Sequence, residues 1–268
     1  MTSFIKSVLE DLKEKEVDFS SLLFILPSKR SGVVLQNELS NLSNSTFFAP
    51  RILSIEEFVE ELSNLKSISN IELLFSFYKT YLDYTKKNEQ ESFDSFSKWA
   101  QVILQDFNEI DRYLIDPNYI FGYLNEIQKI KTNNHWSLED NQTELTKRYL
   151  KFWSQLDLYH KEFTNNLINS GSGYQGLIYK EAVENIENYI QANENLHHVF
   201  VGFNALNKAE STIIQELLQS DLASIYWDID SHFMSSKIHN ASQFINTHKT
   251  NWNYYKTNEF KWFSNHYN

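Results

Sequence analysis

The chain has 268 residues, a length that suits one large domain or two smaller ones around a substantial buried core. It contains only six Gly and three Pro residues, a scarcity that excludes collagen-like repeats, extensive disorder and turn-rich all-β folds. The absence of Cys excludes a disulfide framework, a zinc finger, an iron–sulfur site and a thiol nucleophile. The net charge of −11 means that any contact with a phosphate backbone requires a local basic patch.

The first predicted elements are a helix over residues 3–15, which has one apolar face, and a buried strand. The strand is predicted from the unbroken apolar run Leu22 to Leu26, which is typical of a parallel sheet covered on both faces, and Pro27 ends it. Ser28 can cap the helix that follows. The chain is therefore expected to begin with a helix and a β-loop-α unit.

A second, short strand is predicted around Pro50. Its apolar residues are Phe47, Phe48, Ile52 and Leu53. Capping boxes at Ser54 with Glu57 and at Ser69 with Glu72 each predict the start of a helix. After them, only helical spacing is found as far as residue 192. The predicted helices are 71–86, 93–113, 117–130, 143–169 and 176–192.

The strand pattern returns after this helical block. Val199 to Val201 predict one strand, Asn207 with Glu210 caps a helix, and another strand is predicted from Ala223 to Trp227. The segment after His239 is polar, aromatic and poorly periodic. We therefore expect it to be a loosely held tail or the start of a segment that belongs to a longer protein.

These elements predict a strongly helix-dominated α/β fold, in which a parallel sheet is flanked by helices and interrupted by a large all-helical insertion. Residues 1–68 and 194–245 are expected to form the α/β core, 69–193 the insertion and 246–268 a polar tail or the start of a missing segment. No apolar run reaches the ~18 residues of a membrane span, and the N-terminus lacks the apolar centre of a signal peptide. A cytoplasmic protein without membrane contact is expected.

Two motifs resemble ligand sites. The segment Gly171 to Gly176 matches G-x-G-x-x-G but follows a predicted helix, which favours a helix connection over a nucleotide site, and no Walker A loop is present. Two histidines and two aspartates could form a metal-binding site, but their spacing in the sequence favours separate surface positions. These residues are His197, His198, Asp228 and Asp230.

Asp106, Glu109 and Asp111 could place carboxylates on one helical face, as general acid–base or two-metal chemistry requires. The interleaved apolar residues favour a simpler interpretation, in which the carboxylates form the solvent face of an amphipathic helix. A G-x-S-x-G nucleophile elbow is absent. No metal, cofactor or catalytic residue is therefore assigned.

The most informative segment is Ser28, Lys29 and Arg30, which follows the first predicted strand and opens a helix. Ligands of open α/β sheets bind at the carboxyl ends of the strands, and the free amides and dipole of a helix N-terminus favour a phosphate. A capped helix with two solvated cations is the alternative. Arg51 is a further candidate for contact with nucleic acid.

Six segments in this order resemble the N-terminal region of the AddB-type helicase–exonucleases. They are FILPSKRSG, FFAPRILSIEEFVEEL, FSKWAQVILQDFNEIDRYL, GYQGLIYKEAVENI, VFVGFNALNKAESTIIQELL and IYWDID. The resemblance implies a RecA-like, P-loop-like domain similar to that of UvrD-type helicases, with an insertion resembling their 1B subdomain. It also implies that Ser28, Lys29 and Arg30 match a loop that contacts single-stranded DNA, and that a PD-(D/E)XK nuclease domain lies beyond this chain.

The resemblance aligns Val199 to Phe203 with the Walker B strand of active helicases. Where such enzymes carry an Asp-Glu pair, this chain has Gly202 and Phe203, which cannot ligate Mg²⁺. The resemblance therefore implies a part in DNA double-strand-break repair and recombination, whereas these two residues and the missing Walker A loop imply a part without ATPase activity. The expected partners are single-stranded or end DNA and a helicase or nuclease subunit.

Two other functions remain open at this point. The chain could be a protein-interaction scaffold that never touches DNA. It could also be an unrecognised metal-dependent nuclease that uses Asp228, Asp230 or Asp106. DNA guidance by a non-catalytic helicase-like region is the prediction carried forward.

Overall fold

The computed structural model describes residues 3–42, 48–122, 144–235, 239–260 and 262–263. The chain folds as two compact units. Residues 1–63 with 181–268 form the first, here called the α/β unit, and residues 64–180 form the second, here called the helical unit. The predicted helix-dominated α/β class is confirmed.

The elements are numbered here along the described part of the chain. The helices are α1 Phe4–Glu14, α2 Lys29–Leu42, α3 Ile55–Ser63, α4 Asn70–Tyr84, α5 Phe93–Arg112, α6 Glu144–Asn169, α7 Gln175–Glu184, α8 Ile186–Ala192, α9 Lys208–Gln219, α10 Ser231–Ser235 and α11 Gln243–Asn251. The strands are β1 Leu22–Leu26, β2 Arg51–Ser54, β3 Lys66–Ser67, β4 Ser172–Gly173, β5 His197–Val201, β6 Ala223–Asp228 and β7 Trp262–Phe263.

The sheet of the α/β unit has four main strands in the order β2-β1-β5-β6, and the two-residue β7 pairs with β6. Every pair is parallel. Leu22 lies opposite His197, and Leu23 lies opposite Arg51. The predicted parallel sheet is therefore confirmed, and its central pair joins β1 to β5, a strand that follows the helical unit in the sequence.

Both faces of the sheet are covered, because successive side chains of a strand point to opposite faces. Leu22, Phe24 and Leu26 pack with the apolar faces of α1 and α2. On the other face, Phe58 of α3 contacts Phe200 with ring centroids 6.2 Å apart. All five residues of β1 are buried, as the unbroken apolar run predicts.

Aromatic side chains form the core of the helical unit. The ring of Phe77 in α4 contacts rings from α5 and α6 at centroid distances of 5.1 to 6.4 Å. These contacts are with Phe96, Trp99, Phe107, Tyr159 and Phe163. Edge and tilted arrangements of this kind add to the stabilisation from burial.

Two short strands of the helical unit were not predicted. Ser172 and Gly173 pair in parallel with Lys66 and Ser67. The G-x-G-x-x-G segment therefore connects α6 to α7, as predicted, through one of these strands. Gly176 is required for packing, because a Cβ at this position would collide with the backbone carbonyl of Asn108.

Most predicted boundaries of helices and strands in the described residues differ from the observed ones by one or two residues. One exception is the second strand, because Phe48 lies before β2 and is exposed. The predicted helix 176–192 breaks at Asn185 into α7 and α8. After His239, where no regular element is predicted, α11 forms and Trp252 is buried. Residues 117–122 are helical, whereas Phe47, the rest of the predicted helix 117–130 and the end of the tail lie outside the described residues.

Among the described residues, no helix combines the length and the apolar character that crossing a bilayer requires.

Candidate nucleic-acid interface at the sheet edge

The strand order defines a switch point at the carboxyl edge of the sheet. From β1 the chain continues to β2 on one side, whereas from β5 it continues to β6 on the other. The loops after β1 and β5 therefore diverge, and ligands of open α/β sheets bind in the crevice that such a divergence creates. Ser28, Lys29 and Arg30 follow β1, and Gly202 and Phe203 follow β5.

Ser28 caps α2. Its hydroxyl oxygen accepts a hydrogen bond from the backbone N–H of Ser31 at 3.3 Å, and its carbonyl accepts from the Ser31 hydroxyl at 2.8 Å. The first turn of α2 contains no acidic residue. The positive end of the helix dipole is therefore not neutralised by its own first turn, and the predicted cap is confirmed.

Lys29 is held by a carboxylate from the next strand-to-helix connection. Its ammonium lies 2.9 Å from one oxygen of Glu57, while the other oxygen accepts hydrogen bonds from the backbone N–H and hydroxyl of Ser54. The Ser54 backbone hydrogen bond, followed by that from Lys29, lowers the pKa of Glu57 to about 2. The same ion pair raises the pKa of Lys29. The capping box of α3 thus fixes this lysine at the edge.

Arg30 is the free cation of the loop. It is exposed, and no ion pair or hydrogen bond joins its guanidinium to the residues that the structure describes. An unpaired guanidinium offers the bidentate donor geometry that suits a phosphate. Together with the positive end of the α2 dipole, which no acidic residue of its first turn neutralises, it places positive charge in this loop of an acidic protein.

Arg51, the fourth residue predicted to contact nucleic acid, lies apart from this loop. It opens β2 and pairs with Leu23, so it occupies the amino edge of the sheet, roughly 15 Å from Ser28 along the strand direction. Its guanidinium Nη2 donates to both oxygens of Glu61 at 2.9 Å. The structure therefore brings together Ser28, Lys29 and Arg30 and leaves Arg51 at the opposite edge.

The side chains of Gly202 and Phe203, which follow β5, offer no metal ligand at the switch point. Gly202 has a φ of +77°, a conformation that favours glycine. The side chain of Phe203 is buried and contacts the ring of Phe200 at 5.9 Å. Neither residue can supply the oxygen ligands that Mg²⁺ prefers.

The residues of the possible metal cluster do not come together. His198 pairs with Ala223, the first residue of β6, whereas Asp228 ends that strand. The histidines and aspartates thus lie at opposite edges of the sheet. Within the described ranges, no group of three or more His, Asp and Glu side chains is arranged to hold a metal ion.

The three acidic residues of α5 also separate. Asp106 and Glu109 are exposed, as predicted, but Asp111 is fully buried. Its carboxylate accepts hydrogen bonds from the hydroxyl of Tyr174 and from Lys180 at 3.2 Å, and it lies 3.0 Å from Nε2 of His160. Burial alone raises the pKa of Asp111, but His160, then Lys180 and Tyr174, outweigh it and hold that pKa below its ordinary value.

A spacing signal for the buried Asp111 was present in the sequence. It follows the buried Phe107 by four positions, so it lies on the apolar face of α5 and not on the solvent face. His160 likewise follows the buried Leu156 by four positions in α6. Buried polar side chains are usually hydrogen-bonded, and only the fold reveals that these two are partners.

Comparison with known proteins does not add an assignment: no protein-family model matches the chain, and no curated protein matches it.

Proposed function

We propose that this chain is the N-terminal, helicase-like and ATPase-inactive part of an AddB-like helicase–nuclease of DNA double-strand-break repair. In this role it guides single-stranded or end DNA along the carboxyl edge of the sheet and supports catalytic parts outside the chain. The helical unit corresponds to an insertion of the UvrD type. Localisation in the cytoplasm and a helicase or nuclease partner subunit belong to the same proposal.

One observation carries the proposal: the exposed segment Ser28, Lys29 and Arg30 lies at the switch point of an open parallel sheet. This position is where such sheets bind ligands. A helix N-terminus with two adjacent cations favours a phosphate over other groups. The absence of ligating side chains at Gly202 and Phe203 supports guidance of the DNA without nucleotide hydrolysis.

The charges set the expected strength of binding. The chain carries a net charge of −11, and Lys29 is partly neutralised by Glu57. Few phosphates are therefore neutralised, which predicts weak affinity and a shallow dependence on salt concentration. Dissociation constants in the micromolar range or above are expected for the isolated chain.

Fluorescence anisotropy of a labelled single-stranded oligonucleotide at about 50 and 200 mM NaCl tests this function. Binding to the wild-type chain should weaken as salt rises. The double variant Lys29→Ala/Arg30→Ala should lose binding, because it removes both cations of the loop. Arg51→Ala is the matched control: it also removes an exposed cation, but from the opposite edge, and should bind like the wild type.

Three results would count against the proposal. Unchanged binding by the double variant would mean that the DNA path avoids this loop. No binding by the wild-type chain at tens of micromolar would favour a scaffold without DNA contact. Degradation of DNA by the pure protein with Mg²⁺ or Mn²⁺, abolished by Asp228→Ala, would favour the nuclease alternative.

A further inference from the structure

The helical unit contains a cavity of about 800 Å³. It lies beside the first turn of α4, the middle of α5 and the paired strands β3 and β4. Its lining combines an apolar part with a polar rim. The apolar residues are Ile68, Ile71, Leu73, Leu74, Leu104 and Tyr174. The volume is within the range of binding pockets, roughly 300 to 1,000 Å³.

One wall of this cavity is held in place by buried polar contacts. Tyr174 lines the cavity while its hydroxyl donates to the buried carboxylate of Asp111. The backbone N–H of Gly176 donates to the side-chain oxygen of Asn108, another lining residue, at 2.7 Å. A wall fixed in this way is pre-formed, so a ligand would not bear the cost of ordering it.

The rim of the cavity is acidic. Asp106 and Glu109 line it, whereas none of the lining residues that the structure describes is Lys, Arg or His. Glu109 lies 3.9 Å from the guanidinium of Arg112. Asp106 forms no hydrogen bond or ion pair with the described residues, and partial burial raises its pKa. A cation beside Asp106 would favour its charged form, and the described part of the chain supplies none.

Exposed apolar side chains continue beyond the cavity. Ile71 and Phe75 lie one turn apart on α4 with exposed fractions of 69% and 56%, and Val102 on α5 is 57% exposed. The ring of Phe75 stacks on Phe93 with centroids 4.8 Å apart. Exposed apolar side chains next to a cavity with a polar rim are characteristic of a protein interface more than of a small-molecule site.

We propose that this cavity and its rim dock an amphipathic helix of a partner protein, with large apolar residues at i, i+3, i+4 and i+7 and Lys or Arg beside them. The apolar residues enter the cavity between α4 and α5, as in other helix-in-groove complexes. The basic residues lie against Asp106, whose carboxylate has no ion pair with the described residues, and so complement its charge. This site is independent of DNA contact at the sheet edge.

Selection of random 16-residue peptides displayed on phage, with the full chain as the target, tests this proposal. The enriched peptides should combine apolar residues at helical spacing with an excess of Lys and Arg. Affinities of the synthetic peptides are then measured by anisotropy. Ile71→Asp and Asp106→Lys should each weaken binding at least about tenfold, because one removes an apolar contact and the other reverses the charge of the rim.

The controls are matched in chemistry and exposure. Val33→Asp changes an exposed aliphatic residue of α2, and Asp83→Lys reverses an exposed charge in the last turn of α4; neither lines the cavity. Both should bind the peptides like the wild type. Thermal unfolding confirms that each variant folds.

Several outcomes would overturn the assignment. These are enrichment of no peptide, enrichment of acidic or uncharged peptides, and peptides that bind the two cavity variants as tightly as the wild type. Conversion of a dimer to a monomer by Ile71→Asp would mean that a second copy of the chain covers this surface. Loss of DNA binding in the separate oligonucleotide assay would leave the peptide result unaffected, so the two proposals fail independently.

Discussion

The sheet edge of the α/β unit and the interior of the helical unit use charged groups in opposite ways. Asp111 in the helical unit is fully buried and directs both oxygens to internal donors. At the sheet edge, Lys29 is 71% exposed and Arg30 has no ion pair to the described residues. The contrast teaches that strong electrostatic interactions alone do not identify a binding site. A ligand needs hydrogen-bond donors that are not already used within the protein.

The largest effect is expected from Asp111→Ala. Removing one member of a buried charged cluster leaves His160, Tyr174 and Lys180 without their common acceptor, which should cost about 3 to 5 kcal/mol of unfolding free energy. Urea denaturation followed by circular dichroism measures this change. Lys98→Ala, which removes an exposed ion pair with Asp94, should cost less than about 0.5 kcal/mol.

The same variant tests the comparison with the sheet edge. If Asp111 acts only within the helical unit, Asp111→Ala should leave oligonucleotide binding unchanged under conditions where the variant is folded. If the Lys98→Ala control lost as much stability as Asp111→Ala, or if folded Asp111→Ala lost DNA binding, Asp111 would not act only in the stability of the helical unit.

A smaller effect is expected from the buried His198. Burial lowers its pKa to about 4, while Nε2 faces the hydroxyl of Tyr189 at 2.8 Å and Nδ1 faces the carbonyl of Leu222 at 2.9 Å. The folded pKa lies below the unfolded value of about 6.5, so the stabilisation is complete above pH 6.5 and is lost as pH falls towards 4. The expected loss is about 2 kcal/mol by pH 5.

Urea unfolding between pH 7 and pH 4 measures this loss. His198→Gln should lower the free energy of unfolding at pH 7. It should also reduce the dependence of that free energy on pH between 6.5 and 4. His197 and His248 contribute to the slope that remains, because burial lowers the pKa of both. A variant that keeps the full wild-type slope would show that His198 is not the titrating group.

The smallest effect is expected from Glu57→Gln at the sheet edge. The folded pKa of Glu57, about 2, lies below its ordinary value of 4.5, so its contribution is present above pH 4.5 and is lost as pH falls to about 2. Solvent screening at this partly exposed position limits the contribution to about 1 kcal/mol. The variant also releases Lys29, so oligonucleotide binding at low salt should rise about twofold.

Stability measured at pH 7 and pH 3, together with anisotropy at low salt, checks both parts of this prediction. Glu61→Gln is the matched control, because it releases Arg51 at the amino edge. Equal gains in DNA affinity from both variants would mean that the effect follows overall charge and not the position of the released cation.

Features encoded locally were predictable from the sequence. The unbroken run of β1 matched the observed strand, and the capping boxes at Ser54, Ser69 and Asn207 open helices as predicted. These signals depend on residues within a few positions of one another. The short strands β3 and β4 escaped prediction because two-residue strands carry no periodicity and form only when distant segments meet.

The candidate site was predictable only in part. The position of Ser28, Lys29 and Arg30 follows from a strand followed by a helix, which the sequence shows. Arg51 precedes the apolar residues of its strand, so parallel pairing puts it at the amino edge. The cavity of the helical unit had no sequence signal, because it is formed by tertiary packing of segments from residues 67 to 175.

The pairing of β1 with β5 has a consequence for the order in which the chain folds. The contacts of the helical unit lie within one continuous segment, residues 64–180, so they can form as soon as that segment has left the ribosome. The central strand pair has a high contact order and must await β5. The exposed apolar edge of β1 is thus a target for chaperones or aggregation until β5 emerges, and co-translational proteolysis should cleave the first 63 residues until that point.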